Sequence, residues 1–192
     1  MNHSTANFLQ LTSVGWFMMM LYWLYAGLQT KMTVKREHGL SRLAYLLLLL
    51  PSFGLIYFRY FQRGFLALPF LVPTDFTNYG GLLIHAAGIS FAIMARSRLG
   101  RNWSATVTVK RDHELITTGP YAVTRHPIYT GIFFGLVGAV LILGELRGLI
   151  ALVMAFIAMQ MKMSKEEIFM RAVFPEYDSY RRRTRKMIPF IY

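Results

Sequence analysis

The residue types that could do chemistry in this chain fall in two clusters, which flank its last apolar stretches. The first cluster is Arg125, His126 and Pro127, immediately before an apolar stretch. Because proline has no amide hydrogen and a preset φ, Pro127 suits the first turn of a helix and favours an extended His126 at its mouth. The unpaired amides and the positive dipole end of such a helix would favour an anionic group such as a carboxylate.

The second cluster follows the last apolar stretch and contains Lys162, Glu166, Glu167 and Arg171. Lys162 with Glu166, and Glu167 with Arg171, have i,i+4 spacing, so this segment taken alone is more typical of a solvated, salt-bridged helix than of a site. Adjacent glutamates lie about 100° apart around a helix axis, so the two are not expected to do the same job. The basic run at 181–186 is interpreted as attraction to anionic lipid headgroups.

Composition restricts the class of protein that can carry these clusters. The chain has 192 residues, of which 55% are hydrophobic and 16% charged, which fits disordered and ordinary soluble proteins badly. The absence of cysteine excludes disulfides, thiolate nucleophiles and cysteine metal sites, and no metal site is predicted. The N-terminal residues lack a basic region, so no cleaved signal peptide is indicated.

The fingerprints of soluble cofactor and catalytic sites are also missing from the sequence. It contains no G-x-G-x-x-G after a strand, no G-x-x-x-x-G-K-[ST], no H-E-x-x-H and no G-x-S-x-G. Any nucleotide-like cofactor would therefore have to be held by membrane helices and their loops.

Five apolar segments are long enough, or nearly so, to cross a bilayer, which needs about 20 helical residues. They run approximately over 8–28, 43–60, 79–95, 128–144 and 148–163. The last two are separated by so few residues that they predict a tight helical hairpin. The apolar stretch 65–72 is too short to span and is predicted to be re-entrant or interfacial.

We therefore predict an all-α integral membrane protein with about five transmembrane helices, a cytoplasmic loop that binds the cofactor and a C-terminal helix. The whole chain would be a single membrane domain. Residues 1–95 would form its N-terminal three-helix part, and residues 96–192 would form the catalytic core.

The distribution of charge predicts how this domain is oriented. Lysine and arginine are retained in cytoplasmic loops, and all but three of the 21 lie after the first span, after the third span or in the C-terminal tail. The exceptions are Arg59, Arg63 and Arg147. This bias predicts an odd number of spans, with the N-terminus outside and the C-terminus in the cytoplasm. A four-span arrangement would place some basic clusters on the wrong side. The membrane accounts for the formal net charge of +12 without nucleic acid.

Two features within the spans have alternative interpretations. Gly131 and Gly135 form a G-x-x-x-G pattern, which is typical of close helix packing. His85 is an ionisable residue inside a predicted span and is therefore a candidate functional residue. A neutral histidine bonded to a neighbouring helix explains it at least as well.

The second half of the chain contains a series of motifs in a fixed order. They are LGRNWS at 99–104, HELITTGPY at 113–121, RHPIYTG at 125–131, KEE at 165–167, FPEYDSY at 174–180 and IPF at 188–190. In order and spacing they resemble the isoprenylcysteine carboxyl methyltransferase family and its relatives among the membrane phospholipid methyltransferases. The resemblance implies methyl transfer from S-adenosylmethionine, with S-adenosylhomocysteine as product. The pocket would lie between the cytoplasmic loop and the ends of the last two spans.

The resemblance also implies which residues form the site. Cofactor contacts are implied at His113, Glu114, Leu115, Ile116, Tyr121, His126, Pro127, Ile128, Tyr129, Glu166 and Glu167. Lys162 stands where eukaryotic members have an arginine that is thought to meet the substrate, and lysine supplies a point charge instead of a planar fork.

The acceptor of the methyl group is left open by the sequence. A carboxylate is already ionised and needs only a cation to hold it, for which Lys162 and Arg125 are the candidate catalytic residues. An amine would need a base once protonated, and His126 is the candidate. A prenylated cysteine carboxylate is the first choice, followed by a phospholipid amine or a small thiol.

Two hypotheses from other functional classes remain open. Sterol-type membrane reductases share an RHP-x-Y motif and use NADPH, but the acidic residue expected after the motif's glycine is replaced here by Ile132. A membrane scaffold that only binds anionic lipid is the non-enzymatic alternative. The expected partners are membrane lipid and a lipophilic small molecule or prenylated substrate, without nucleic acid. The expected location is a membrane, the inner one if the source is bacterial, and the oligomeric state is not predicted.

Overall fold

The computed structural model describes residues 3–36, 39–104, 108–110, 114–189 and 191. Across these residues the chain forms six α-helices, two short strands and four 3₁₀ turns. In chain order the helices and strands are α1 (His3–Gly27), β1 (Thr33–Arg36), α2 (Gly39–Tyr57), α3 (Asp75–Leu99), β2 (Thr108–Lys110), α4 (Pro127–Leu143), α5 (Leu146–Val173) and α6 (Tyr177–Arg183). The 3₁₀ turns are Arg59–Phe61, Gly64–Ala67, Gly100–Asn102 and Gly119–Ala122.

Each predicted apolar segment coincides with one of the first five helices. Helices α2 and α5, and α3 together with the turn that follows it, are long and apolar enough to cross a membrane. Helix α4 is apolar but has 17 residues, and α1 has 25 residues. The helical membrane fold is therefore confirmed. Five crossings, their orientation and the division at residue 95 stay predictions.

A small antiparallel pairing corrects the all-α expectation. Strand β1 pairs with β2, with Thr33 opposite Lys110 and Arg36 opposite Thr108. Threonine and valine dominate these segments, and their β-branched side chains favour extended backbone. The pairing joins the connection after α1 to the loop before α4, so the predicted cytoplasmic loop is attached to the first half of the chain.

The tight hairpin between α4 and α5 is confirmed. Only Gly144 and Glu145 separate the two helices, and Gly144 has a φ of +67°. Helix α5 begins with a buried ion pair, in which Arg147 Nε donates to Glu145 Oε2 over 2.6 Å. Arg147 Nη1 also donates to the carbonyls of Leu55 and Phe58 at the end of α2. These bonds fix one end of the bundle.

The segment predicted to be re-entrant or interfacial lies across this hairpin. The amides of Phe70 and Leu71 donate to the Gly144 carbonyl, and the amide of Leu146 donates to the Leu68 carbonyl. An extended stretch bounded by prolines can supply these bonds because it has no helical partners of its own. Its depth relative to a membrane stays a prediction.

Helices α3 and α4 approach each other through glycines. A Cβ atom on Gly88 would lie 2.5 Å from the Gly135 nitrogen and 2.6 Å from the Gly131 oxygen, and one on Gly131 would lie 2.6 Å from the Ala92 nitrogen. Such distances exclude any side chain at these positions. The packing interpretation of the G-x-x-x-G pattern is confirmed.

His85 lies in α3 within this contact and is buried. Its Nδ1 lies 2.9 Å from the Gly135 carbonyl oxygen. A carbonyl only accepts hydrogen bonds, so Nδ1 carries the proton. Its ring packs edge-on against Trp16. This hydrogen bond joins His85 to α4, as the interpretation of His85 as a neutral packing residue requires.

Candidate functional site

A cavity of about 330 Å³ lies where the N-terminus of α4 meets the C-terminal half of α5 and the loop that precedes α4. Its lining includes ten of the residues singled out in the sequence: Glu114, Leu115, Ile116, Tyr121, Arg125, His126, Ile128, Tyr129, Lys162 and Glu166. The two polar clusters, which are far apart along the chain, therefore both contribute residues to one space.

Helical periodicity explains why α5 contributes the residues that it does. Lys162, Glu166 and Met170 follow one another at intervals of four, so their side chains lie on one face of the helix, and all three line the cavity. Helix α4 starts at Pro127, which fixes the chain direction so that His126 and Tyr129 reach the same space.

Glu166 is the centre of the polar wall. Tyr129 donates its hydroxyl to Glu166 Oε1 over 2.7 Å, and His126 Nδ1 lies 3.4 Å from Glu166 Oε2. The Glu166 side chain keeps 24% of its surface exposed, so its carboxylate can still accept hydrogen bonds from a ligand in the cavity.

Glu167 faces away from the cavity and supports it from behind. Its Oε1 accepts from Arg125 Nε over 2.7 Å and lies 3.4 Å from His126 Nε2. The guanidinium of Arg125 also donates to the Thr184 and Arg181 carbonyls. Arg125 and Glu167 are both nearly buried, at 7% and 10% side-chain exposure, so this pair is a fixed part of the wall.

One of the two i,i+4 pairs expected in the tail is corrected by these contacts. Glu167 pairs with Arg125 from the loop, and Arg171 pairs with Asp178 over 3.1 Å. The local Glu167–Arg171 pair is replaced because the loop before α4 brings Arg125 to Glu167 and α6 brings Asp178 to Arg171. The expectation that the two glutamates do different jobs agrees with this geometry.

Burial and charge act in opposite directions on His126. Burial by itself would lower the pKa of His126, but the adjoining carboxylates of Glu166 and Glu167 outweigh it and raise the pKa above its ordinary value. The charged form of the imidazole is therefore favoured relative to that of a free histidine. A protonated His126 is a hydrogen-bond donor and a cation, and it is a poor base.

Lys162 lies between two aromatic rings. Its ammonium is 5.6 Å from the centroid of the Tyr45 ring and 5.7 Å from that of Tyr129. Aromatic faces attract a cation without neutralising it. Lys162 can thus present its charge to an anion in the cavity.

The remaining lining residues were not among those singled out. They are Trp23, Leu99, Asn102, Trp103, Ser104, Ile132, Met170, Tyr177 and Tyr180. Six of these lie in the LGRNWS and FPEYDSY motifs, which signalled them as segments only. Ile132 and Met170 could have been found from helical spacing. No pattern in the sequence indicates Trp23, which comes from α1 at the opposite end of the chain.

Arg96 holds the aromatic part of the lining in place, although it does not line the cavity. Its guanidinium lies 4.4 Å from the centroid of the Trp103 ring and donates to the carbonyls of Ala26 in α1 and Gly100 after α3. Trp23 packs edge-on against Trp103. Arg96 therefore ties α1 to the turn that carries Trp103.

Two of the expected cofactor contacts, Glu167 and Pro127, are not part of the described lining. Glu167 stands behind the wall, and Pro127 is buried at the start of α4. His113 lies outside the described residues. The chemical roles of all the site residues stay predictions.

Comparisons with known proteins agree with the motifs. The model of the phospholipid methyltransferase family matches residues 76–177. The nickel-cobalt-cadmium resistance protein NccN of Alcaligenes xylosoxydans xylosoxydans is 37% identical over 94 residues, covering 47% of this chain and 44% of that protein. The protein-S-isoprenylcysteine O-methyltransferase of Schizosaccharomyces pombe is 32% identical over 101 residues, covering 50% of this chain and 43% of that protein. The chain thus spans less than half the length of these two relatives.

The fold is similar to that of a solved structure, the eukaryotic intramembrane Ras methyltransferase ICMT (isoprenylcysteine carboxyl methyltransferase). The TM-score is 0.52 at 24% identity, over 81% of this chain and 54% of that one. The likeness covers α-helices from both halves of the chain and confirms the fold that the motifs implied. Because the family model extends over more than half of the sequence, the chain belongs to the phospholipid methyltransferase family.

Proposed function

We propose that this protein is an integral membrane methyltransferase that transfers a methyl group from S-adenosylmethionine to a lipophilic acceptor. The carboxylate of a prenylated cysteine is the acceptor that the site favours. The observation that carries the proposal is the shared cavity, in which the His126, Tyr129 and Glu166 cluster faces an apolar wall that includes Trp23 and Trp103.

The residues present fit the donor. A cavity of about 330 Å³ is within the range for small-molecule sites. The partly exposed Glu166 carboxylate can accept hydrogen bonds from ribose hydroxyls or from the ammonium group of the donor. His126 also lines the cavity, with its ring held between the carboxylates of Glu166 and Glu167. The resemblance further assigns Glu114, Leu115, Ile116, Tyr121 and Ile128 to this donor, and it adds His113, Pro127 and Glu167.

S-adenosylmethionine supplies a methyl group on a positively charged sulfur. In the transfer the sulfur–methyl bond breaks and its electron pair stays on sulfur, while a carboxylate oxygen forms the new bond to the methyl carbon. No proton moves, so the protein needs only to align the two groups and exclude water. The enclosing helices and the apolar wall provide both.

The charges of the site favour a carboxylate over an amine. An amine acceptor would require His126 as a base, and the raised pKa of His126 favours its protonated form, which cannot accept a proton. Arg125 is already bonded to Glu167 and to two backbone carbonyls. Arg125 is therefore assigned a positioning role. Lys162 lines the cavity beside the Tyr45 and Tyr129 rings, and this position makes it the candidate to hold an acceptor carboxylate.

We also propose that five helices cross the membrane and that the cavity faces the cytoplasm. The ends of the bundle differ in charge in the way that the positive-inside rule requires. Lys31, Arg125 and Lys165 lie at the cavity end, where Lys31 bonds Glu114 and Lys165 bonds Ser41. Arg147 lies at the opposite end, beside the last turn of α2.

Transfer of radiolabelled methyl from S-adenosylmethionine to a panel of acceptors tests the activity. The panel contains a prenylcysteine, phosphatidylethanolamine and a small thiol. We expect label on the prenylcysteine that alkali releases, as an ester requires. Alkali-stable label on the amine or the thiol would contradict the carboxylate assignment. Absence of transfer together with retention of NADPH would contradict the methyltransferase itself.

The role of Lys162 is tested in the same assay with two variants. Lys162→Met is expected to raise the KM for the prenylcysteine with less effect on the KM for the donor, because only the acceptor contact is lost. Lys162→Arg keeps the cation and should retain most of the activity. Equal KM values in Lys162→Met and in the unaltered protein would contradict the assignment.

A further inference from the structure

A second concave surface lies behind the candidate site, on the other side of the Arg125–Glu167 pair. This basic groove has a volume of about 630 Å³. Its walls contain five basic side chains and two carboxylates, which leaves an excess of three positive charges. The basic residues are Arg125, Arg181, Arg182, Arg185 and Lys186.

The two carboxylates of the basic groove are already engaged. Glu167 is bonded to Arg125 over 2.7 Å. Asp178 pairs with Arg171, which lies outside the groove, over 3.1 Å. Glu167 also lies 3.8 Å from Arg181 Nε, so it faces two of the groove's arginines. Within the described residues neither carboxylate forms an ion pair with Arg182 or Arg185, so the charges of these two arginines are not neutralised by the acidic side chains of the groove.

Backbone hydrogen bonds fix the shape of the basic groove. Residues 184–186 run beside the segment before α4. The Arg125 amide donates to the Arg185 carbonyl over 2.8 Å, the Arg185 amide to the Val123 carbonyl over 3.0 Å, and the His126 amide to the Lys186 carbonyl over 3.1 Å. A tail that served only diffuse attraction to a membrane would not need this order. The order brings like charges together, and their repulsion is relieved when an anion enters.

We propose that the basic groove binds a phosphate group, carried either by the headgroup of an anionic phospholipid or by a soluble phosphate compound. The planar guanidinium fork matches phosphate oxygens, and three arginines beyond Arg125 converge here. Ile191 lines the groove with 78% of its surface exposed, next to these charges. A charged groove with an apolar residue in its lining suits a phospholipid. The site is distinct from the cavity, and the proposal does not rest on the methyltransferase activity.

Native mass spectrometry of the full chain in neutral detergent measures this binding. Phosphatidylglycerol and phosphatidylcholine are added at equal concentration, and the fraction of protein that retains one lipid is counted. We expect preferential retention of phosphatidylglycerol. Arg182→Gln should lower it about fivefold, the change expected for one basic residue beside an anionic headgroup. Arg183→Gln is the matched control, because Arg183 is the next residue on α6 and does not line the groove.

A second experiment, with inorganic phosphate, distinguishes a phospholipid headgroup from a soluble phosphate compound. A rise in melting temperature with inorganic phosphate that is lost in Arg182→Gln and kept in Arg183→Gln would assign the groove to a soluble phosphate compound. If only the retention of phosphatidylglycerol is lost in Arg182→Gln and kept in Arg183→Gln, and inorganic phosphate has no effect, the groove is assigned to lipid.

Three results would overturn the proposal. They are equal losses of retention in Arg182→Gln and Arg183→Gln, equal retention of the two lipids together with no thermal response to inorganic phosphate, and a thermal response to inorganic phosphate that Arg182→Gln and Arg183→Gln keep equally. Far-UV circular dichroism of each variant shows whether it is folded. If Arg182→Gln does not fold, Arg185→Gln takes its place, because Arg185 lines the same groove.

Discussion

At the scale of single residues, two adjacent glutamates have different roles in the site. Glu166 accepts from Tyr129 and lines the cavity, whereas Glu167 is held by Arg125 and supports His126 from behind. One helical step of about 100° separates these roles. The sequence could predict the difference in role. It could not predict which loop residue would pair with Glu167, because that partner depends on how the chain folds back.

Tyr129→Phe tests whether Glu166 must be held in place to bind the donor. The variant removes only the hydroxyl that donates to Glu166 over 2.7 Å. We expect a rise of about tenfold or more in the KM for S-adenosylmethionine, the cost of one hydrogen bond to a charged group, with a smaller change in kcat. Tyr79→Phe is the control, since Tyr79 is exposed and does not line the cavity. Unchanged KM in Tyr129→Phe would show that this bond does not position Glu166.

The proton on His126 predicts how stability depends on pH. Burial opposes the charged form, but the two carboxylates raise the pKa in the folded state above the ordinary value of 6.5. The protonated imidazole then contributes stability in full below pH 6.5 and loses that contribution as the pH rises through the folded-state pKa. Melting temperatures of the unaltered protein should fall over this interval relative to those of His126→Gln. Parallel curves for the two proteins would refute the assignment.

At the scale of elements, the contact between α3 and α4 supports the cavity because it sets the position of the α4 N-terminus. Five glycines of these helices, at 81, 88, 131, 135 and 138, allow the backbones to touch. The G-x-x-x-G in α4 made this contact predictable. The partner glycines in α3 follow no such pattern, so the identity of the neighbouring helix required the structure.

Gly88→Ala is expected to destabilise the protein. Its new Cβ would lie 2.5 Å from the Gly135 nitrogen, so the helices must separate, at a cost typical of overpacking, about 1–3 kcal/mol. Gly80→Ala on the same helix has nothing within 4 Å of its Cβ and should leave the melting temperature unchanged or slightly higher. Equal melting temperatures for the two variants would mean that the glycine contact does not stabilise the fold.

The limits of sequence reasoning are clearest in the connections between elements. The lengths of the apolar segments predicted the five helices. A segment that crosses a bilayer must be about 20 residues long and must satisfy its backbone hydrogen bonds internally. The pairing of β1 with β2 and the contribution of Trp23 depend on contacts between the two ends of the chain. Local patterns do not record such contacts. Trp23 of α1 therefore adds to the wall a residue from outside the predicted catalytic core at 96–192.

At the scale of the whole molecule, the arrangement in the membrane follows from charge and from the number of helices. Introduced cysteines can test it because the chain has none of its own. Val72→Cys lies in the exposed segment before α3, and Glu176→Cys lies between α5 and α6. An impermeant thiol reagent added to intact cells should label Val72→Cys at once and Glu176→Cys only after the membrane is opened. Labelling of both from the same side would contradict three crossings between them.

Binding of S-adenosylhomocysteine to the purified protein tests the central claim most directly. A calorimetric titration should show one saturable site. Glu166→Gln should weaken binding by about tenfold or more, because a charged hydrogen-bond acceptor is lost from the cavity wall. Arg183→Gln, outside the cavity, should bind as the unaltered protein does. Equal affinity in Glu166→Gln, or retention of NADPH with no binding of S-adenosylhomocysteine, would contradict the account.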